Sequence, residues 1–279
     1  MSEVDNITQK AKSNLAFAFI CLPRKRREDM VKFYAFCRVI DDLADSHELT
    51  IEEKQTGFAR WKDGLANGFK KADAVEQAVI ELQADYDIPT ELFLEIIAGC
   101  ESDLQPQRFE TWDDLSQYTY KVACAVGLIS IRIFGCVHEQ SEKYAIALGH
   151  ALQLTNILRD VGEDLENEDR IYLPLAELEA FGYTEQDLRN RIYDHRFVAA
   201  MDHLAERAEG FYRESLDSMH PVDHKALKSA EAMSGIYHAI LEKMRDDKFR
   251  VFEKRYKLSK LRKILILIAS MMTHSNQYR

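Results

Sequence analysis

Apolar residues recur at three- and four-residue spacing along almost the whole chain, and strand-like alternation is scarce. Start signals repeat: Thr50-x-x-Glu53, Thr111-x-x-Asp114 and Thr184-x-x-Asp187 all have the form of a capping box. Breaks fall near Pro23, from Gly64 to Lys71, at Asp87-Ile88-Pro89, and near Pro106, Pro174, Gly182 and His220-Pro221. The pattern between them predicts helices at 26–46, 51–66, 73–86, 90–103, 111–135, 139–166, 195–219, 223–246 and 250–272. There is no Gly/Ser-rich linker, internal repeat or compositional seam. The expected architecture is all-α, with residues 1–279 forming one domain.

Composition narrows this further. Only 11 of 279 residues are Gly and 5 are Pro, too few for the turns of an all-β sandwich or barrel. The formal net charge of −10 argues against nucleic acid as a partner, because phosphate binding needs clustered cations. An acidic protein can still hold an anionic ligand through a bridging divalent cation. Five cysteines are scattered without a C-x-x-C pair, so a reducing, cytoplasmic setting is expected. The polar start MSEVDNITQK does not read as a secretory signal, and ILILIASMM (Ile264 to Met272) is too short to span a bilayer. The phosphate-cradling glycine motifs GxGxxG and GxxxxGK[ST] are absent, as are HExxH and GxSxG.

Two acidic stretches carry the candidate chemistry. In Phe33 to Glu48, Asp41 and Asp45 are four apart and share a helix face, with Asp42 about 100° round and Arg38 one turn before. The alternative is a solvated acidic helix end. In Ala151 to Pro174, Gln153, Asn156, Asp160 and Asp164 form one polar stripe along an otherwise apolar helix. Such a stripe is costly to bury unless each member has a partner. The alternative here is a hydrogen-bond network between helices. Taken together, two helices with Asp pairs offer hard oxygen ligands suited to Mg²⁺ and a diphosphate. Zinc would call for His or Cys, and the nine histidines are dispersed and read as surface or packing residues.

The sequence resembles the squalene/phytoene synthase family of head-to-head prenyl diphosphate synthases, from about Ser13 to Ala269. Four stretches carry the likeness: SNLAFAFICLPRKRREDMVKFYAFCRVIDDLAD, YTYKVACAVGLISIRIFG, ALGHALQLTNILRDVGED followed by RIYLP, and IYHAIL. The resemblance implies an all-helical isoprenoid-synthase fold with a deep apolar channel and two Asp-rich helices at its mouth. It implies that two prenyl diphosphates bind with Mg²⁺ and join 1-1′ through a cyclopropyl diphosphate. Position by position, Asp41 and Asp45 match the first Asp-rich motif, and Asp160 and Asp164 the second, with Gln153 and Asn156 before them. Asn156 joins the four aspartates as an implied metal ligand. Arg38 matches a diphosphate-contacting residue, Ser13 an N-terminal serine near the diphosphate, and Tyr118 a tyrosine near the reacting carbons. Val122 and Val126 match wall positions, Arg170 the arginine of a GR-x-Y-x-P element, and Tyr237 a late-helix tyrosine.

The chain departs from the family pattern at Asn14, at Asp169-Arg170 and at Cys124-Ala125, and these departures bear on the branch. SIRIFG leans toward the bacterial presqualene and squalene branch, so two farnesyl diphosphates and a C30 product are expected. Geranylgeranyl diphosphate and phytoene are the alternative. NADPH enters only if the product is squalene. Phe17, Phe19, Phe33, Phe36 and Tyr118 could turn aromatic faces to a carbocation, although core packing is the ordinary role of each. The basic residues of 254–263 followed by ILILIASMM suit either docking on the inner membrane face or, the preferred reading, packing on the parent domain. Two other classes fit the sequence less well. A non-catalytic assembly protein on this fold would be expected to lose metal carboxylates, and a class I terpene cyclase would pair DDxxD with a different second motif.

Overall fold

The computed structural model describes residues 19–167 and 170–272, so Ser13, Asn14, Phe17 and Asp169 lie outside the described residues. Helix α1 (Arg24–Asp45) starts after Pro23 and buries Met30, Phe33, Phe36, Ile40 and Ala44 on one face. Then come α2 (Ile51–Asn67), α3 (Ala74–Tyr86) and α4 (Thr90–Ser102). The Thr50/Glu53 box caps α2 as its sequence implies, and Asp73/Glu76 forms a second box at α3 that the sequence reading passed over.

The helix expected over 111–135 is present in extent but not uniform. It divides into α5 (Trp112–Thr119), a π-helical turn at Tyr120–Cys124 and α6 (Ala125–Phe134). The cause is tertiary. A Cβ on Gly149 would lie 2.7 Å from the Cys124 Cα, so the long helix α7 (Gln140–Asn167) crosses this turn almost backbone to backbone. The wider turn accommodates that approach and presents Val122 inward; such bulges often mark functional sites.

The rest of the chain wraps α7. Short helices α8 (Leu175–Glu179) and α9 (Glu185–Arg189) were not anticipated, although the Thr184/Asp187 box that caps α9 was. Helix α10 (His195–Asp217) packs along α7, and α11 (Lys228–Asp246) packs on both. The helix expected from 223 begins at Lys228. Asp223 is instead buried in a 3₁₀ turn, where its carboxylate accepts from the Val137 and His138 amides and the Ser141 hydroxyl.

The largest correction is at the C-terminal end. The helix expected over 250–272 is confined to α12 (Lys260–Met272). Lys248 and Phe249 adopt left-handed φ values of 53° and 54°, ending α11. Phe249, Val251 and Tyr256 are then buried one by one against the core. Tyr256 donates to Asp247 at 2.5 Å and accepts from the Arg250 amide at 2.9 Å. Apolar spacing that mimics a helical period here serves to anchor an irregular strap. Gly162 of α7 admits it, since a Cβ there would lie 2.4 Å from the Val251 carbonyl oxygen.

One hydrophobic cluster runs from Phe19 to Tyr256. No strand occurs among the described residues, although an isolated bridge joins Arg108 to Ile171. The Ile171 and Leu175 amides donate to the Gln107 and Phe109 carbonyls, which lays 170–175 beside the chain leaving α4. Among the described residues no helix is long and apolar enough to cross a membrane.

Candidate active site

The first acidic group ends α1. Arg38, one turn earlier, holds Asp41 at 2.6 Å and also bonds Asp42. The Asp41 side chain is about half exposed (48%), yet desolvation by the surrounding atoms and the adjacent Asp45 charge push its carboxyl up to about 6.

The second group lies on α7 and is deeper. Asp160 is held by Arg159 at 2.6 and 2.8 Å and by Arg255 of the strap at 2.9 and 3.2 Å, leaving its side chain 16% exposed. One turn on, desolvation and then the Asp160 charge push Asp164 up to about 7. One turn back, the buried Asn156 Oδ1 has no hydrogen-bond partner. Its amide nitrogen makes only a weak 3.5 Å contact with Gln153.

Arg170 ties the two groups together. Its backbone amide donates to the Asp164 carbonyl at 3.2 Å, while its guanidinium lies 3.5 Å from Asp45 and donates to the Asp103 carbonyl at 3.2 Å. Its charge acts on both Asp41 and Asp164. The α7 polar stripe thus approaches the end of α1 across a single side chain.

Beside this mouth, α6, α7 and α11 enclose a cavity with about 820 Å³ of empty space including its opening. Val122, Val126, Gln153, Asn156 and Tyr237 are on its wall, together with Leu148 and Leu152. Phe19, Met30, Phe134 and Tyr144 add bulk. The α7 stripe therefore runs from the cavity wall (Gln153, Asn156) to the acid mouth (Asp160, Asp164). Tyr118 is not on that wall. Its buried hydroxyl donates to Asp103 at 2.9 Å, beside Tyr172, which donates to the other Asp103 oxygen at 3.1 Å. Burial pushes Asp103 up to about 6 despite these bonds. Of the aromatics considered for a carbocation, Phe19 reaches the cavity. Phe33 and Phe36 instead stack on each other and meet Phe93 edge-on, which is ordinary core packing.

Four residues at the site escaped the sequence reading. Arg159 and Tyr172 sat inside quoted motifs without a role, Asp103 has no motif around it, and Arg255 was counted with a basic run. A further basic run, Arg24 to Arg27 at the start of α1, is taken up by partners: Arg24 pairs with Glu28, Lys25 with Asp29 and Asp85, Arg26 donates to the Ile133 carbonyl and Arg27 to the Ile20 and Leu22 carbonyls.

Among the described residues no three His, Cys, Asp or Glu side chains converge as a self-sufficient metal cage. The donors present are carboxylate and amide oxygens divided between the end of α1 and α7, with a buried orphan oxygen at Asn156. That set fits a cation that completes its shell with water and substrate phosphates, as Mg²⁺ does.

The sequence pattern of the squalene/phytoene synthase family matches residues 8–262. The chain belongs to this family. It is 32% identical to the 15-cis-phytoene synthase of Synechococcus elongatus, over 97% of this chain and 92% of that protein. It is 35% identical to the presqualene diphosphate synthase of Sinorhizobium fredii, over 79% of each. A crystal structure of a dehydrosqualene synthase in complex with ligand superposes with a TM-score of 0.84 at 29% identity, covering 96% of this chain and 94% of that one. The fold is accordingly the all-α isoprenoid-synthase fold, and the protein is a prenyltransferase that condenses prenyl diphosphates head to head.

Proposed function

We propose that the protein joins two farnesyl diphosphates 1-1′ through presqualene diphosphate to squalene or a related C30 product, in a single all-helical domain spanning 1–279. The observation that carries this reading is the Arg170 bridge between the two acidic groups beside an apolar cavity. The bulky side chains Phe19, Met30, Phe134 and Tyr144 around that cavity favour the shorter C15 chains.

In this reading Asp41, Asp45, Asn156, Asp160 and Asp164 hold Mg²⁺, which when bound supplies Lewis-acid polarisation of diphosphate oxygens. Arg38, Arg159, Arg170 and Arg255 already sit among these acids, and their guanidinium forks match the oxygens of a departing diphosphate. Ser13, outside the described residues, is carried over from the family resemblance as a diphosphate-binding residue. The apolar walls at Val122, Val126, Leu148 and Leu152 keep water from the allylic cation, and the Tyr237 ring offers it a polarisable face. Gln153 and Asn156 orient the diphosphate end at the junction of wall and mouth. Tyr118, off the cavity wall, is assigned to the acid mouth, where its hydroxyl bonds Asp103 and the Asp103 carbonyl accepts from Arg170. The proton released on cyclopropane formation goes to the free diphosphate.

A second reading, condensation of two geranylgeranyl diphosphates to phytoene, is favoured by the phytoene synthases among the relatives. One assay separates the two. Purified protein is incubated with Mg²⁺ and labelled farnesyl or geranylgeranyl diphosphate, with and without NADPH, and products are identified by mass. A C30 product is expected from farnesyl diphosphate, in reduced form only if NADPH is consumed. A C40 product alone would replace the first reading by the second, and turnover of neither substrate would end both.

A further inference from the structure

Helix α12 is amphipathic in an unusual sense: its widest apolar arc faces outward. Leu267 and Ser270 are buried against α11, and Ile266 packs beside them. Leu261, Ile264, Leu265, Ile268, Met271 and Met272 all stand exposed, between 40% and 75%. At about 100° per residue these six fall within one arc of roughly 120° on the side away from α11. On the same wheel Lys260 and Arg262 lie about 100° to either side of Leu261, flanking the arc. Lys257, Lys260 and Arg262 are exposed and make no ion pair among the described residues. Lys254 and Arg255, by contrast, are taken up by Asp247 and Asp160.

Charge singles out the occupant. From Lys254 to Arg279 the sequence holds seven Lys or Arg and no Asp or Glu, in a chain whose net charge is −10. We propose that α12 lies in the interface of an anionic lipid bilayer, with its outer apolar arc among the acyl chains and Lys257, Lys260 and Arg262 against the headgroup phosphates. An apolar face rimmed by cations is the form of helix that binds in the plane of such a surface. A second copy of the chain, paired through α12, would offer those cations no acidic partner in this segment. Helix α12 packs on the parent domain through Leu267 and Ser270, as preferred from the sequence; the inference concerns its outer arc and does not depend on which prenyl diphosphate is used.

Flotation of the full-length protein with vesicles, without substrate, tests it. The protein should bind vesicles of phosphatidylcholine mixed with phosphatidylglycerol, should not bind phosphatidylcholine alone, and should be released by high salt. The double variant K260Q/R262Q should partition roughly 30-fold more weakly, and L265S/I268S should lose binding while keeping the thermal midpoint of the parent. Binding to neither vesicle, or equal binding to both, overturns the proposal. So does a drop in midpoint of L265S/I268S, which would mean the arc is covered by the chain itself, or loss of a dimer in that variant, which would assign the arc to a second copy. Because turnover is not read, failure here leaves the proposed reaction standing.

Discussion

The two acidic groups differ in where their counter-charge comes from. At the end of α1, Asp41 and Asp42 take theirs from Arg38, three and four residues away on the same helix. On α7, Asp160 is held by its neighbour Arg159 and also by Arg255, ninety-five residues further along, and Asp164 feels Arg170 and Arg255 across the mouth. The first group is half open to solvent and compensated mainly from its own helix by Arg38, with Arg170 reaching Asp45 from the segment after α7. The second is recessed and depends on the strap and on the segment after α7. A cation shared between them would therefore meet one half made mostly within a single helix and one half that leans more on tertiary structure.

Removing a carboxylate should hit both halves alike. Asp41→Asn and Asp160→Asn should each lower kcat by roughly 10³-fold, with unchanged far-ultraviolet circular dichroism; normal turnover in either variant removes that residue from the proposed site. Cutting the link between halves should cost less. Arg170→Gln should reduce kcat/KM by about 100-fold at saturating Mg²⁺, and an unaffected variant would mean that the two groups work separately.

The contrast itself is sharpened by comparing Arg255→Gln with Arg38→Gln. Each should raise KM for the diphosphate by about 10-fold. Only Arg255→Gln should also loosen the strap, detected as faster proteolysis or amide exchange over 247–259. Equal exchange in both variants would show that Arg255 does not help hold the strap on α7.

The smallest effect concerns the brace behind α7. His238 of α11 and Glu209 of α10 lie 2.9 Å apart, which raises the histidine above 6.5 and lowers the glutamate below 4.5. A raised histidine contributes stability below its unfolded value that is lost as pH rises through the folded one. A lowered glutamate contributes stability above its unfolded value that is lost as pH falls. The pair therefore helps most between pH 4.5 and 6.5. With His238 a third exposed the contribution is at most about 1 kcal/mol. His238→Gln should lower the denaturation midpoint most within this window and flatten its fall above pH 6.5 and below pH 4.5; an unchanged profile would assign the pair no role in stability.

Much of the helix content was legible because it is local. Phe33, Phe36 and Ile40 repeat at helical spacing, and Thr50, Thr111 and Thr184 cap where their boxes predict. The misreadings share a cause. The π turn at Tyr120–Cys124 exists because α7 presses on it at Gly149, and the strap at 247–259 because Phe249, Val251 and Tyr256 find burial one at a time. Periodicity reports which residues are apolar, and a helix and an anchored irregular segment can share it.

What the sequence alone determined is an all-helical chain carrying two Asp pairs and a Gln–Asn–Asp–Asp stripe, since i, i+4 spacing sets the face of a helix before anything packs on it. Only the tertiary structure decided that Arg170 and Arg255 reach those acids, that Tyr118 turns to Asp103, and that the apolar arc of α12 points outward. Those contacts join residues well beyond helical spacing, from 15 positions apart for Tyr118 and Asp103 to 95 for Arg255 and Asp160. Their energies depend on burial and charge that exist only once the helices have packed.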